Sequence, residues 1–162
     1  MAEEQKKLTP ISDLGEFGLI EHINEKVKIK HKETVTGIGD DAAVLDFSGM
    51  QTVVTSDILM EGIHFDLMYT PLKHLGYKAV IANVSDVVAM NAIPKQIIVS
   101  IAMSGKFSVE AIDELYSGIF KACEMYNVDL VGGDTSSSIT GLTISVTAIG
   151  AAQKSEIVYR SG

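Results

Sequence analysis

Five aspartates lie in short motifs that are suited to binding a cation or a phosphate. Asp40 and Asp41 are adjacent in GIGDDAAVL, Asp57 closes TVVTSD, Asp86 closes ANVSD, and Asp134 closes VDLVGGD. Aspartate is uncommon in strands, and two adjacent like charges oppose burial unless an opposite charge neutralises them. The motifs therefore predict a positively charged ligand close to these carboxylates.

Alternating helices and strands are predicted to position these acids. Apolar side chains recur at helical spacing in residues 12–27, and a second helix is expected from Pro71 to about Ala92. Ser108 is expected to cap a third helix, which ends near Tyr126. Strands are expected at residues 33–38, 43–46, 52–56, 95–103, 128–131 and 142–150.

These elements place most of the acids at strand ends. Asp57 and Asp134 follow predicted strands, and Asp40 and Asp41 precede one. Ligands of mixed α/β domains commonly bind where strands end and irregular backbone begins. These acids are therefore expected to contribute to one shared site.

Asp86 lies inside the second predicted helix. Its helical face is shared by Ala79, Ala82, Asn83 and Met90, so its side chain is expected to point inward. A buried carboxylate without a partner is costly. Asp86 is therefore either a hydrogen-bonded structural group or a cation ligand.

The other acids also have a structural interpretation. An aspartate beside glycine, such as Asp40 or Asp134, often bonds the backbone of its own turn, and Asp57 is placed to cap the following segment. Neighbouring hydroxyl groups are supplied by Thr55, Ser56 and Thr135. The combined oxygen donors favour Mg²⁺ over zinc, because the one cysteine and the scattered histidines lack the usual zinc spacing.

Composition limits the class of protein. The 162 residues are 46% hydrophobic and 21% charged, which is typical of one folded domain with an ordinary core. A formal net charge of -8 disfavours binding to nucleic acid or an anionic membrane through a basic surface. The sequence shows no signal-peptide pattern and no run of about 20 apolar residues, and Cys123 is its one cysteine. A cytoplasmic location is therefore expected.

The carboxylates point to phosphoryl chemistry. Magnesium bound by carboxylates commonly completes its coordination shell with water and substrate phosphates. The nucleotide motifs GxxxxGK[ST] and GxGxxG and the protein-kinase motif set are absent from the sequence. GGDTSSS, at residues 132–138, is rich in glycine and hydroxyl groups but lacks a lysine. An ATP enzyme with this sequence would therefore hold phosphates through metals and backbone groups.

The order of the motifs resembles a known family. GIGDDAAVL, TSDILMEGIHF, YKAVIANVSDVVAMNAIP and LVGGDTS follow one another, and YRSG ends the chain. With LGEFGLIEHI before them, they are similar to the N-terminal domain of the thiamine-monophosphate kinases, in the AIR synthase-related superfamily. The resemblance covers nearly the whole chain but only half of a complete family member. It implies that residues 1–162 are one ATP- and magnesium-binding domain, without the family's C-terminal α/β domain.

The family implies a fold and a reaction. The fold is α+β, with a mixed or antiparallel sheet packed against helices and with strands pairing across a homodimer to form a barrel. The reaction is the ATP- and Mg²⁺-dependent phosphorylation of thiamine monophosphate to thiamine diphosphate. It proceeds by direct in-line transfer, aided by several Mg²⁺ ions and without a catalytic side chain. The isolated domain is expected to be inactive.

The resemblance also assigns roles to individual residues. The implied magnesium ligands are Asp41, Thr55, Ser56, Asp57, Asp86 and Asp134. The implied ATP contacts are Tyr116, Gly133, Asp134 and Arg160. His64 in EGIHF is implied to contact the thiamine phosphate, although a histidine between Ile63 and Phe65 is also typical of a surface or core-edge position. Asp40 is interpreted as a turn residue or a partner of the ligands.

Two other functions fit parts of the sequence. Another ATP enzyme of the superfamily, such as AIR synthase, would share the fold, although GIGDDAAVL and GIHF fit the thiamine kinases better. A non-catalytic nucleotide-binding module would use the same domain without turnover. Formation of thiamine diphosphate separates the kinase from the module, and ATP use with aminoimidazole precursors would indicate AIR synthase.

Overall fold

The computed structural model describes residues 8–38 and 44–159. Within these ranges a 3-10 turn (Ile11–Asp13) precedes helices α1 (Gly15–Asn24), α2 (Leu72–Ala89) and α3 (Val109–Tyr126). The strands are β1 (Thr34–Thr36), β2 (Val44–Leu45), β3 (Gln51–Met60), β4 (Ile93–Met103), β5 (Asp129–Ser137) and β6 (Thr143–Ala152). No helix in the same ranges is long and apolar enough to cross a membrane.

The main sheet contains four strands in the order β3, β6, β4, β5. β6 runs antiparallel to both β3 and β4, whereas β4 and β5 are parallel because α3 connects them as a crossover helix. β1 and β2 form a separate antiparallel pair. β3 and β5 are therefore the two edges of the described main sheet, and they carry several of the predicted site residues.

α2 and α3 cover one face of the sheet and pack closely against each other. A Cβ atom at Gly118 would lie 1.8 Å from the carbonyl oxygen of Lys73, and one at Gly76 would lie 2.1 Å from that of Leu115. Both positions therefore need glycine, because the two helix backbones approach too closely for any side chain. Ser108 caps α3 as predicted, since its hydroxyl oxygen accepts the Ala111 N–H at 3.3 Å.

The opposite face of the sheet carries an exposed apolar strip on β3. Alternation along the strand directs Val54, Ile58 and Met60 to this face. Their side chains are 60%, 52% and 43% exposed. An exposed apolar strip on an edge strand is the kind of surface that a partner commonly covers.

Two strands extend further than the sequence predicts. β3 continues to Met60 and β5 to Ser137, so Asp57 and Asp134 lie within strands rather than after them. The cause is long-range pairing, because every residue of β3 has a partner in β6 and β5 follows the length of β4. The predicted strand ends relied on nearby turn residues, which do not reveal pairing between distant strands. The predicted ends of both strands were therefore wrong.

Pro94 lies inside β4, although the sequence predicts a strand only from residue 95. This strand begins at Ile93, and its register against β6 shifts between Pro94 and Gln96. Proline has no N–H to donate to the ladder, so an irregularity of this kind lets it occupy a strand.

Candidate functional site

A large cavity borders the edge strand β5. Its volume is about 780 Å³. The polar part of its lining is contributed by β5 and consists of Gly132, Gly133, Asp134 and Thr135. The remaining lining is mainly apolar and comprises Phe17, Ile20, Ile23, Gly37, Ile38, Leu45, Ile98, Val99, Tyr116, Leu130, Val131 and Ile149. We call this space the β5 cavity; it combines an apolar wall with exposed glycine backbone.

The two glycines of β5 have different surroundings. A Cβ at Gly133 would lie 2.0 Å from the carbonyl oxygen of Val99 on β4, so the parallel pairing itself requires glycine there. Apart from its two chain neighbours, no atom of residues 8–38 and 44–159 lies within 4 Å of the place that a Cβ at Gly132 would occupy. The backbone at Gly132 is therefore open to a ligand in the cavity.

Tyr116 closes the β5 cavity on the α3 side. Its side chain is only 5% exposed, and burial raises the pKa of its hydroxyl to about 12. Its ring packs at a tilt against Phe120, with the ring centroids 5.8 Å apart. Tyr116 is therefore neutral at physiological pH and offers an aromatic wall.

Asp134 lies at the polar side of the same cavity. Its side chain is exposed, and its Oδ1 accepts the N–H of Thr135 at 2.9 Å. This bond is the local turn-like interaction that the structural interpretation of a Gly-Asp pair predicts. This hydrogen bond involves only Oδ1 of the two carboxylate oxygens.

A second cavity lies between β3 and α2. Its volume is about 530 Å³. Its lining comprises Val53, Val54, Thr55, Asp86, Ala89, Met90 and Tyr159. We call it the β3–α2 cavity. In it the hydroxyl of Thr55 donates to Oδ2 of Asp86 at 3.3 Å, so two predicted magnesium ligands lie side by side.

Asp57 belongs to the same junction between strand and helix. Thr55 and Asp57 are two residues apart in β3 and point to one face of the sheet. The N–H of Asp57 donates to Oδ1 of Asn83 on α2 at 3.0 Å, and Asn83 in turn donates to the carbonyl of Ala79 at 3.1 Å. Asn83 is buried and has a structural role that the sequence did not reveal.

Asp86 is exposed, and the prediction that it points inward was wrong. The buried face of α2 includes Val80, Asn83, Val84 and Val87. Asp86 comes three positions after Asn83 and one before Val87, so it lies at the rim of that face rather than at its centre. The carboxylate of Asp86 is therefore accessible and has no need of a partner to offset burial.

The hydroxyl of Ser56 points to the opposite face of the sheet. It lies 2.9 Å from the hydroxyl of Thr147 on β6 and also donates to the carbonyl of Val146 at 3.3 Å. Adjacent residues of a strand point to opposite faces, so the side chain of Ser56 does not join those of Thr55 and Asp57.

Asp57 and Asp134 lie on opposite edges of the sheet. Asp57 pairs with Val146, which pairs with Val99, which pairs with Gly133. Three strand spacings correspond to roughly 14 Å, whereas Mg²⁺ binds its ligands at about 2.1 Å. Among the described residues, no three histidine, cysteine, aspartate or glutamate side chains lie close enough to hold one metal ion. Asp57 and Asp134 therefore do not bind one and the same ion within a single chain, whereas a shared site that holds several ions stays a prediction.

Three predicted residues lie outside the described residues. These are Asp40, Asp41 and Arg160. The proposed roles of Asp41 and Arg160 in metal and ATP binding, and that of Asp40 in the turn, stay predictions.

His64 lies in the turn that follows β3. Its side chain is exposed, and its Nδ1 accepts the N–H of Met60 at 3.1 Å. The bond gives His64 a local structural role, which agrees with the surface interpretation of this residue. A contact with substrate through the rest of the ring stays a prediction.

Sequence reasoning missed two groups of lining residues. Tyr159 lines the β3–α2 cavity, and its segment is held by the Val158 N–H, which donates to the carbonyl of Met90 at 3.1 Å. Phe17 of α1 lines the β5 cavity although the helical spacing placed it in the core, and it is 84% exposed. For Tyr159, its place beside Arg160 in the motif YRSG was the available signal. For Phe17 there was none, because helical periodicity does not distinguish a core residue from one that lines a cavity.

The fold and these motifs define a family. The family model described as AIR synthase related protein, N-terminal domain, matches residues 39–152. Because the match covers more than half of the chain, the chain belongs to this family. The predicted α+β class with a mixed sheet is confirmed, whereas strand pairing across a dimer stays a prediction.

Relatives within the family are thiamine-monophosphate kinases. The one from Bacillus subtilis (strain 168) is 39% identical over 149 residues, which are 91% of this chain and 46% of the relative. The one from Aquifex aeolicus (strain VF5) is 35% identical over 144 residues, which are 89% of this chain and 44% of the relative. The predicted resemblance to these kinases is confirmed, and the chain spans a little under half of their length.

Solved structures of the same kinases are similar to this fold. Thiamine-monophosphate kinase from Stenotrophomonas maltophilia K279a matches with a TM-score of 0.73 and 31% identity, over 87% of this chain and 42% of that one. The structure described as AaThiL complexed with AMPPCP and TMP matches with a TM-score of 0.65 and 34% identity, over 98% of this chain and 47% of that one.

Proposed function

We propose that this chain is the ATP-binding half of an enzyme that transfers the γ-phosphoryl group of ATP to thiamine monophosphate, giving thiamine diphosphate. The observation that carries the proposal is the β5 cavity, in which the open backbone of Gly132 faces a space of about 780 Å³ with an apolar wall. A nucleotide base can pack against that wall while phosphates approach the glycine N–H groups. The thiamine-monophosphate kinase relatives, one of them described in complex with AMPPCP and TMP, support the same function.

ATP is the proposed phosphoryl donor and occupies the β5 cavity. Tyr116, Gly133 and Asp134 all line this cavity, which supports their predicted roles. Arg160 is proposed as a further ATP contact by resemblance. Residues 1–162 are proposed to act with a second, C-terminal α/β domain, since relatives with the complete activity are about twice as long.

Mg²⁺ is the proposed cofactor, and the donor chemistry fits it. The β3–α2 junction offers oxygen donors from Thr55, Asp57 and Asp86, and the exposure of Asp86 suits an ion that keeps part of its water shell. When bound, Mg²⁺ would neutralise phosphate charge. The acceptor is already an anionic phosphate, so the task of these residues is binding and alignment rather than proton transfer. Ser56, Asp134 and Asp41 are proposed as further ligands by resemblance.

A homodimer is the proposed working form. Asp134 lies on the β5 edge of the sheet, whereas Asp57 lies on the β3 edge and Asp86 on the neighbouring helix α2, and a second copy would bring the two sets together. The exposed side chains of Val54 and Ile58 on β3 offer an apolar surface for such a copy. Pairing of strands across the two copies would form the barrel that the family resemblance implies.

The thiamine phosphate is proposed to contact His64, which lies in the turn after β3. The cytoplasm is the proposed location, on the basis of the single cysteine in the sequence. AIR synthase and a non-catalytic module have less support, because the relatives described here are thiamine-monophosphate kinases.

Calorimetric titration of the chain with a non-hydrolysable ATP analogue and Mg²⁺ tests this function. Gly132→Ala adds a methyl group to the β5 cavity at a place where it meets no atom of the described segments, so it should weaken analogue binding at least about tenfold. Gly105→Ala is the matched control, because a Cβ there also meets no described atom within 4 Å and Gly105 lines neither cavity. Equal affinity of both variants would refute the location of the nucleotide.

The reaction itself is tested with full-length protein. Thiamine diphosphate should form from thiamine monophosphate and ATP only when Mg²⁺ is present. Asp86→Asn should reduce the rate and raise the Mg²⁺ concentration that is needed, since it removes one charged ligand. ATP turnover with aminoimidazole precursors but not with thiamine monophosphate would instead assign the chain to AIR synthase chemistry.

A further inference from the structure

The proposed function uses none of the side chain of Asp129, which is a fully buried carboxylate at the start of β5. Its Oδ1 accepts the N–H of Lys30 at 2.7 Å, and its Oδ2 accepts the N–H of His31 at 3.0 Å and the hydroxyl of Thr34 at 2.8 Å. Three donors thus converge on one carboxylate. Hydrogen bonds to a charged acceptor are strong and directional, so they fix the segment at residues 30–34 against β5.

The same segment is tied to two further elements. The hydroxyl oxygen of Thr34 accepts from Nε2 of Gln96 on β4 at 2.9 Å. Nζ of Lys30 donates to the carbonyl of Cys123 near the end of α3 at 2.9 Å. Thr34 therefore lies between a buried carboxylate and a buried amide, and its hydroxyl serves both as donor and as acceptor.

The location of this network relates it to the β5 cavity. Thr34 begins β1, and three residues later Gly37 lines the cavity at the start of GIGDDAAVL. Asp129 begins β5, and three residues later Gly132 lines the same cavity. Three residues of strand span about 10 Å. The bond between Asp129 and Thr34 thus joins the two chain segments that lead into the cavity-lining residues Gly37 and Gly132.

We propose that Asp129 and Thr34 are positioning residues that fix the Gly37 side of the β5 cavity relative to the Gly132 side for nucleotide binding. The inference rests on the proposed function, because it assigns these residues to the nucleotide site. A buried charged group adds little to the stability of the fold, because well-packed apolar residues of similar volume often stabilise a protein equally well. Such a group is effective at fixing the orientation of the segments that it joins, because each of its hydrogen bonds has a preferred direction.

Two variants of one residue test the proposal. Thr34→Val keeps the shape of the side chain and removes the hydroxyl, whereas Thr34→Ser keeps the hydroxyl and removes the methyl group. Thr34→Val should weaken binding of the magnesium complex of the non-hydrolysable ATP analogue by about fivefold or more, and Thr34→Ser should bind within about twofold of the original chain. Val80→Ala is the stability control, because Val80 is fully buried and lines neither cavity.

Hydrogen exchange of backbone amides provides a second readout that needs no nucleotide. Peptides covering residues 35–38 and 130–133 should exchange faster in Thr34→Val than in Val80→Ala, and at the original rate in Thr34→Ser. Equal affinity and equal exchange for Thr34→Val and the original chain would overturn the proposal. An equal loss in Thr34→Ser and Thr34→Val would also overturn it, because the hydroxyl would then be irrelevant. If the original chain fails to bind the analogue, the nucleotide assignment fails, whereas faster exchange at residues 35–38 would still support the link between the two segments.

Discussion

Replacement of Gly133 by alanine separates the structural from the ligand-binding role of the β5 glycines. The new Cβ would lie 2.0 Å from the carbonyl oxygen of Val99 and 3.0 Å from its carbonyl carbon. Both are backbone atoms, so rotation of a side chain does not relieve the contact. An ordinary contact begins near 3.4 Å, so β5 would have to move away from β4 by about 1.4 Å.

The expected loss of stability follows from two opposing contributions. Overpacking of this kind costs about 1–3 kcal/mol. Replacing glycine by alanine restricts the unfolded chain and returns about 0.4–1 kcal/mol. With both ranges taken at their middle values, the net loss is about 1 kcal/mol, which for a domain of this size lowers the melting temperature by roughly 2–4 °C. The new Cβ of Gly132→Ala meets no atom within 4 Å in the part of the chain that the structure describes, apart from its chain neighbours, so this variant should melt at the original temperature or slightly above it.

Thermal melting followed by circular dichroism, together with analogue titration, tests both changes. We expect Gly133→Ala to lose stability and affinity, and Gly132→Ala to lose affinity alone. If Gly133→Ala melted like the original chain, the steric argument from the Val99 carbonyl would be refuted. If Gly132→Ala lost as much stability as Gly133→Ala, the cavity at Gly132 would not be open as described.

Two other properties are open to measurement. Hydrogen bonds from its own backbone N–H and that of Thr9 lower the pKa of Glu110 from 4.5 to about 2, so the stability that it contributes is fully present above pH 4.5 and is lost as the pH falls toward 2. Glu110→Gln should therefore flatten the decline of the melting temperature between pH 5 and pH 2.5, and an unchanged decline would contradict this role. In sedimentation velocity the original chain should have the mass of two copies, and Ile58→Lys, on the exposed face of β3, should have the mass of one. Ile139→Lys is its control because Ile139 is fully exposed outside the strands, and a monomeric original chain would contradict the dimer.

Local chemistry made the helices predictable from sequence. Ser108 was recognised as the cap of α3, and its hydroxyl oxygen does accept the N–H of Ala111. Pro71 was expected to begin α2, and the helix starts at the next residue. The end of α2 was placed about three residues late. Asn91 adopts a positive φ of 56°, which asparagine adopts more readily than most residues but which the sequence alone does not predict. Signals carried by a single residue and its neighbours were therefore sufficient for helix starts.

The candidate site was less predictable because it depends on pairing between distant segments. The motif GGDT lines the β5 cavity and Thr55 lies beside Asp86, whereas the roles of these residues as ligands stay predictions. The relative position of Asp57 and Asp134 depends on the strand order, which a sequence without an alignment does not reveal. Asp129 gave no signal at all, since an aspartate at the start of an apolar strand resembles an ordinary turn residue.

The strand order links metal binding to assembly. Asp57 and Asp134 are separated by roughly 14 Å across one sheet, which is too far for both to bind one Mg²⁺ ion at about 2.1 Å. If both bind the same ion, the second ligand must come from another copy whose β5 edge lies near the β3 edge of the first. Ile58 lines neither cavity, but it belongs to the surface that such a copy would cover. Ile58→Lys should therefore weaken magnesium-dependent analogue binding together with dimerisation, whereas a monomer that keeps full magnesium-dependent affinity would show that one chain holds the ions without Asp57 and Asp134 acting together.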